Sequence, residues 1–218
     1  MRSRAASAFT LIEVLLALAL LASLLAAINH FVFSMTEAST KNRDRFVFAQ
    51  HARAVTRHVD ELLAAAAASA RASSVSVGAP AAAELRLPEG GTADLLAFDL
   101  PVGDRLLTWP GRPLPEVRCG LDWRPEEGLV LYWKSRLESD FATAEPRLAV
   151  VSPFVTALSY DYYDDATKTW SNEAELQRNE SGALLTPQRL RLQFARRGQV
   201  IEEIIPLPST AQEGLPTY

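Results

Sequence analysis

The stretch that decides the fold is FTLIEVLLALALLASLLAAI, residues 9–28. Twenty helical residues at ~1.5 Å rise each span the ~30 Å hydrocarbon core of a bilayer. Arg2 and Arg4 stand before this stretch in a leader without an acidic residue. The positive-inside rule therefore predicts a single membrane-spanning helix whose N-terminus is cytoplasmic and whose remainder is exported. The alternative is an ordinary cleaved secretory signal, for which small residues at 22–27 would supply the cleavage site.

Glu13 is the one acidic residue of this apolar stretch. A carboxylate in the middle of a span costs about 2.5–3.5 kcal/mol, and less near its end, so such a residue needs a named partner. Removal of residues 1–8 would place a new α-amine on Phe9, one helical turn before Glu13. In a staggered array of parallel helices, the Glu13 carboxylate of one chain would meet the Phe9 amine of its neighbour and set the axial register.

The segment Ala8-Phe9-Thr10-Leu11-Ile12-Glu13, between a basic leader and a Leu/Ala-rich helix, resembles the class III signal of type IV pilins and type II secretion pseudopilins. This resemblance implies that a prepilin peptidase cleaves between Ala8 and Phe9, that Phe9 is N-methylated, and that Glu13 serves assembly. It also implies a bacterial inner-membrane protein with a periplasmic head. Ala8 stands where the family usually has Gly, a departure that bears on the rate of processing.

A continuous helix is predicted beyond the membrane, because neither Gly nor Pro occurs between Phe9 and Ala72. Apolar residues recur there at alternating spacings of four and three, which is typical of an amphipathic helix. They are Phe48, Ala52, Val55, Val59, Leu62 and Ala66. We expect this stripe to pack on the protein's own sheet, or alternatively to form a helix–helix seam with a partner near the membrane.

Short β-like runs separated by turn residues follow after about residue 84. The predicted strands are Glu84–Leu87, Ala93–Leu100, Leu106–Trp109, Val117–Asp122, Gly128–Ser135, Arg147–Val151, Val155–Tyr163, Gln188–Ala195 and Gln199–Leu207. Arg197-Gly198 predicts a tight turn, and Glu202-Glu203 predicts either a bulge or a strand buried differently at its two ends. This order predicts an α+β class, which is also the pilin architecture.

The expected organisation is therefore a leader at 1–8, a transmembrane helix at 9–29, an amphipathic helix at 30–72 and a β-rich globular head at 73–218. Residues 75–218 carry 14 basic and 21 acidic residues, a net charge of −7. Nucleic acid is not expected as a partner, because this part lacks the basic surface that binds phosphates.

The C-terminal part of the sequence resembles one subfamily of these proteins in particular. Residues 154–164, Trp170, 186–194 and 204–208 are similar to the end of the minor pseudopilin J family of type II secretion. This similarity implies a non-enzymatic subunit that joins I-like and K-like minor pseudopilins and the major pseudopilin at a filament tip. The alternatives are a minor type IV pilin, which primes a pilus, and a signal-anchored periplasmic enzyme.

The sequence predicts no catalytic, cofactor or metal site. His51 and His58 lie seven residues apart, about 10.5 Å along a helix, too far to share one zinc ion, and we expect them with Glu61 on a solvated face. Asp161, Asp164 and Asp165 lack the alternating ligands of a calcium loop and predict a surface turn, although an ion there is left open.

The remaining candidates are predicted to be structural. The lone Cys119 excludes an intramolecular disulfide and predicts a buried small hydrophobe whose further role is open. Aromatic residues of the second half predict core and cross-strand partners, with a binding surface as the alternative. These residues are Trp123, Tyr132, Trp133, Tyr160, Tyr162 and Trp170.

Overall fold

A single helix, α1 (Leu11–Ala72), begins the structure and is 62 residues long. The structure is a computed structural model that describes residues 10–72, 78–88, 90–102, 104, 106–107, 115–139, 141, 143 and 145–208. The predicted continuity of the helix is confirmed over the described residues, and Phe9 lies outside them. Alanine and leucine favour the helix along its length, and Arg71 in its last turn complements the helix dipole.

The chain divides into two compact units, Met1–Phe48 and Ala49–Tyr218. In the first unit, residues Leu11–Thr36 form 26 residues of helix that are apolar enough to cross a membrane and are not buried by the protein. This finding supports membrane anchoring through one N-terminal span.

The second unit holds the end of α1 and all the strands that the structure describes. The residues of the predicted apolar stripe that belong to this unit are buried. Leu63, Ala67 and Ala70 of the same helix are buried as well, so the buried face is wider than predicted. The stripe is therefore the core-facing side of an amphipathic helix, as predicted. Phe48, the last residue of the first unit, is also buried.

Nine antiparallel strands in the described residues form two sheets. They are β1 (Ala81–Arg86), β2 (Thr92–Leu100), β3 (Val117–Arg124), β4 (Gly128–Ser135), β5 (Arg147–Ser152), β6 (Val155–Asp164), β7 (Thr169–Glu173), β8 (Arg189–Arg196) and β9 (Gln199–Pro206). One sheet has the order β1-β2-β3-β4-β5 and the other has the order β7-β6-β8-β9. An apolar N-terminal helix followed by antiparallel sheets is the α+β, pilin-like fold that the sequence predicts.

Two of the strand predictions need correction. The strand predicted at Leu106–Trp109 is wrong where it is described, because Asp104 accepts hydrogen bonds from the backbone N–H groups of Leu106 and Leu107 and forms a turn. Trp109 lies outside the described residues. Strand β7 was missed, since its sequence TWSNE shows neither apolar alternation nor β-branched enrichment beyond its first residue.

The β8–β9 hairpin confirms the predicted tight turn, because Arg197 and Gly198 both have positive φ, 48° and 76°. Two such residues form the type I′ turn that suits a hairpin. The register continues unbroken from Arg196↔Gln199 to Arg189↔Pro206, so the bulge predicted at Glu202-Glu203 is wrong. The other expectation is confirmed: β9 is buried at Ile205 near its end and exposed at Val200 near its start.

Aromatic residues fill the core as predicted at four positions, since Tyr132, Trp133, Tyr160 and Tyr162 are buried. Trp123 and Trp170 are half-buried. The indole N–H of Trp123 donates to the backbone oxygen of Val155 at 3.0 Å, which links β3 to β6. Cys119 is also buried as predicted, and burial, followed by the nearby charges of Asp99 and Asp104, raises the pKa of its thiol.

Candidate functional site

The candidate functional site is the first turn of α1, where Thr10 acts as the N-cap. Its backbone oxygen accepts hydrogen bonds from the N–H groups of Glu13, at 3.0 Å, and Val14, at 3.3 Å. A Thr followed three positions later by Glu has the spacing of a capping box. The local sequence Thr-Leu-Ile-Glu therefore begins the helix at the residue after Thr10.

Glu13 is fixed to this turn by its position and remains exposed. The Thr10 hydroxyl donates to the Glu13 carboxylate over 3.5 Å, the long end of the hydrogen-bond range. A carboxylate in the first turn is also stabilised by the positive end of the helix dipole. These contacts orient the carboxylate without neutralising its charge.

In the described part of α1, no Lys or Arg lies near Glu13 along the helix. The sequence has no Lys or Arg between Arg4, in the leader, and Lys41. Lys41 is 28 residues further along α1, which corresponds to ~42 Å of helix at ~1.5 Å per residue. A cationic partner for Glu13 in a membrane must therefore come from a chain terminus or from another molecule.

Ala8 and Phe9 lie outside the described residues. Cleavage between them and methylation of the Phe9 amine stay predictions. The hydroxyls at Ser23 and Thr36, in the same apolar helix, donate to the backbone oxygens one turn earlier, at 2.8 Å each. Glu13 is thus the one Asp, Glu, Lys or Arg residue of Leu11–Thr36.

His51 and His58 are half-buried and have partners in the fold, so the expectation of a solvated face is wrong for both. His51 is half-buried, with its Nε2 atom 2.9 Å from the hydroxyl oxygen of Ser152, and its ring contacts the ring of Phe154 edge to face at 5.1 Å. Burial, aided by the positive charge of Arg196, lowers the pKa of His51. His58 Nε2 lies 3.7 Å from Asp104, while Glu61 is exposed as predicted.

The fold thus creates a Ser–His pair that the sequence did not reveal, because 101 residues separate the two side chains. Ser152 is completely buried and also accepts a hydrogen bond from the N–H of Phe154. A hydroxyl in this position cannot meet a substrate from solution. The pair ties α1 to the end of β5.

The three aspartates lie apart, and the prediction for Asp161 is wrong. Asp161 is buried within β6, where Arg191 donates to both carboxylate oxygens, at 3.3 and 3.0 Å, and Asn172 donates at 2.6 Å. Asp164 and Asp165 occupy the exposed β6–β7 turn as predicted. Asp161 is three residues from Asp164, so the alternation of a strand directs the two side chains to opposite faces.

The exposed turn has its own internal hydrogen bonds. Asp164 accepts from the hydroxyl of Thr167 at 2.7 Å and from the N–H of Ala166 at 2.9 Å, and these bonds lower its pKa. Asp165 lies 3.5 Å from Lys168. In the described part of the chain, no group of three or more His, Cys, Asp or Glu side chains is arranged to hold a metal ion.

Comparison with known proteins places a motif on the helix that carries this site. Residues 3–29 match the family model of the prokaryotic N-terminal methylation motif. No curated protein matches the chain at a significant level. The motif covers Ala8, Phe9 and Glu13 and supports a type IV pilin-like protein. It implies processing by prepilin peptidase and assembly with other pilin-like subunits.

Proposed function

We propose that this chain is a minor pseudopilin of a type II secretion system. In this role it is a structural, non-enzymatic subunit of the pseudopilus tip complex, which primes assembly and helps to export folded proteins across the outer membrane. The observation that carries the proposal is Glu13, an acidic residue of the methylation motif with no Lys or Arg near it in the described part of its own helix.

The Glu13 carboxylate supplies one half of an ion pair between neighbouring subunits. Cleavage after Ala8 makes Phe9 the first residue and gives it an α-amine four residues before Glu13. Opposite charges attract more strongly at low dielectric, so the carboxylate of one subunit and the amine of its neighbour fix the stagger between parallel helices. The apolar surface of Leu11–Thr36, which the protein itself leaves uncovered, supplies the rest of the helix contact.

Secretion is favoured over a pilus by the C-terminal similarity to minor pseudopilin J. The similar segments include β6, β8 and the end of β9, and their partners would be I-like and K-like minor pseudopilins with the major pseudopilin. The orientation follows from the basic leader, with the N-terminus in the cytoplasm and the head in the periplasm. A minor type IV pilin, which primes a pilus for adhesion, motility or DNA uptake, is the second candidate, because the methylation motif supports both.

The first test is processing of the full chain, produced with and without prepilin peptidase and measured by intact mass after detergent extraction. With peptidase we expect the loss of residues 1–8 and the gain of one methyl group. Ala8→Leu should block the change because a bulky residue replaces the small one at the cleavage site, and Ala6→Leu, two residues upstream, should not. An unchanged mass with active peptidase would overturn the cleavage site.

The second test separates the two systems. The full chain is co-produced with the I-like and K-like minor pseudopilins of its own genome, or with that genome's minor pilins, and purified from membranes. A stable complex with the pseudopilins alone supports secretion, and a complex with the pilins alone supports the second candidate. Hydrolase activity of the purified full chain would contradict both structural roles.

A further inference from the structure

A cavity of about 340 Å³ lies between the two sheets of the second unit. Residues of β2, β3 and β6 line it, together with the segment that follows β7. Glu175 of that segment is exposed at its rim. A volume of this size lies within the range of small-ligand pockets, ~300–1,000 Å³.

Tyr160 is the first sign that the cavity takes a ligand. Its side chain lines the cavity although only 4% of the residue is exposed. Among the described residues, no hydrogen-bond partner satisfies its hydroxyl, whereas the neighbouring Tyr162 hydroxyl accepts from the N–H of Gln177 and donates to the oxygen of Leu185. The hydroxyl oxygen is not sealed off by the protein but opens into the cavity, so it is free to hydrogen-bond a group from outside the chain.

Asp122 gives the cavity its charge. The carboxylate is half-buried and accepts one hydrogen bond, from the N–H of Trp123 at 2.7 Å. Burial raises its pKa, against the smaller lowering effects of the Trp123 hydrogen bond and of the charge of Arg124. Burial raises the pKa of Tyr160 most, and the negative charge of Asp122 raises it further. A cation beside Asp122 would relieve the cost of desolvating this carboxylate.

The other charges around the cavity leave it acidic. Asp94 is held by Arg178, which donates to both of its carboxylate oxygens at 2.6 and 2.7 Å, so its charge is already balanced. Arg124, the cation near Asp122, lies 3.7 Å from Glu127 and over the ring of Tyr132. Asp122 and the exposed Glu175 therefore remain as the acidic groups that face the cavity.

The walls between these polar groups are apolar. Leu95, Leu176 and the ring of Trp123 line the cavity beside Asp122 and Tyr160. An alkyl stem that ends in a cationic group matches this arrangement, because the stem packs on apolar surface while the charge meets a carboxylate, a hydroxyl and an aromatic ring. An anionic ligand would meet two carboxylates.

We propose that this cavity binds the cationic end of a lysine or arginine side chain from a partner subunit. The choice of a subunit as the source rests on the proposed function, since a protein that assembles with others meets their side chains at its surface. Binding of a cation in the cavity does not depend on cleavage of the leader. An experiment can therefore contradict the cation site without contradicting the proposed function, and the reverse.

The test uses the full chain in detergent micelles, labelled with 5-fluorotryptophan and followed by fluorine NMR. The resonance of Trp123 is assigned with Trp123→Phe. Probes are n-butylammonium and n-butylguanidinium, and 1-butanol is the neutral control of the same shape. We expect saturable shifts of the Trp123 resonance with at least one cation, and tenfold weaker binding or none with the alcohol.

Two variants locate the contact. Asp122→Asn keeps the shape of the side chain and should weaken cation binding about tenfold or more, while Tyr160→Phe should weaken it about two- to tenfold. Glu126→Gln, which removes an exposed charge in the β3–β4 turn, should change nothing. Equal binding of cation and alcohol, or full cation affinity in Asp122→Asn with unshifted remaining tryptophan resonances, would overturn the proposal.

The source of the cation is tested in cells with a photoreactive benzoylphenylalanine in place of Ala174, at the rim of the cavity. We expect a crosslinked peptide from a pilin-like subunit beside a Lys or Arg, and loss of that crosslink when this residue is changed to Met or when Asp122→Asn is added. A free polyamine that remains bound to the purified chain, with no such peptide, would contradict a partner subunit as the source.

Discussion

His51 and Ser152 form a hydrogen bond 2.9 Å long between α1 and the end of β5, and Arg196 is the cation that acts on the imidazole. Burial and this charge disfavour the protonated ring. The folded protein therefore binds a proton at His51 less readily than the unfolded chain does.

A pH dependence of stability follows from this difference. Because the folded-state pKa lies below the ordinary value of about 6.5, the unfolded state holds more protons as the pH falls below that value. Stability should thus decrease as the pH falls below about 6.5, and the contribution should level off below the folded-state pKa. Urea titrations of the full chain in detergent measure this slope. His51→Gln should flatten it, and an unchanged slope in that variant would contradict the assignment.

Gly128 is expected to tolerate no side chain. Its φ is +78°, and an added Cβ would lie 2.2 Å from the backbone oxygen of Ser152 and 2.8 Å from the Cα of Pro153. Gly128→Ala should lower the free energy of unfolding by at least about 2 kcal/mol, from the left-handed backbone cost of about 1–2 kcal/mol plus the clash. Denaturant titration measures the change.

Gly182→Ala is the matched control for that substitution. Gly182 has nearly the same φ, +81°, but an added Cβ would meet nothing within 4 Å. It should show the backbone cost alone. Equal losses in the two variants would mean that the contact between the β3–β4 turn and Ser152–Pro153 is not as close as described.

Asp161 is expected to stabilise the second sheet through its bonds to Arg191 and Asn172. Asp161→Asn leaves Arg191 facing a neutral amide, so the free energy of unfolding should fall by roughly 2 kcal/mol, less than the 3–5 kcal/mol of a fully buried pair because Arg191 is partly exposed. Asp164→Asn, in the exposed turn, should change the free energy of unfolding much less than Asp161→Asn does. A similar small loss of unfolding free energy in both variants would contradict the stabilising role of Asp161.

The sequence alone was sufficient for features with a strong local cause. The absence of Gly and Pro predicted the long helix, the alternation of Leu190, Leu192 and Phe194 predicted β8, and Arg197-Gly198 predicted its turn. Each of these signals is a backbone preference or an apolar period that neighbouring residues reinforce.

Features that depend on partners far apart along the chain could not be predicted from the sequence. Asp161 resembles its neighbours Asp164 and Asp165 until β8 brings Arg191 against it, and His51 looks like a surface residue until β5 places Ser152 beside it. The cavity around Tyr160 is formed by strands of both sheets. Strand β7 was hidden because an edge strand with polar side chains has no apolar period.

Glu13→Ala should spare membrane insertion and impair assembly. Removing a carboxylate from an apolar helix lowers the cost of insertion, while it also removes the charge that would meet the amine of a neighbouring subunit. Insertion is measured by protease protection of the full chain and assembly by recovery of filaments sheared from cells. Ser23→Ala, which removes a hydroxyl bonded within the same helix, is the control and should assemble normally. Wild-type filament yield from Glu13→Ala would remove the role assigned to this residue.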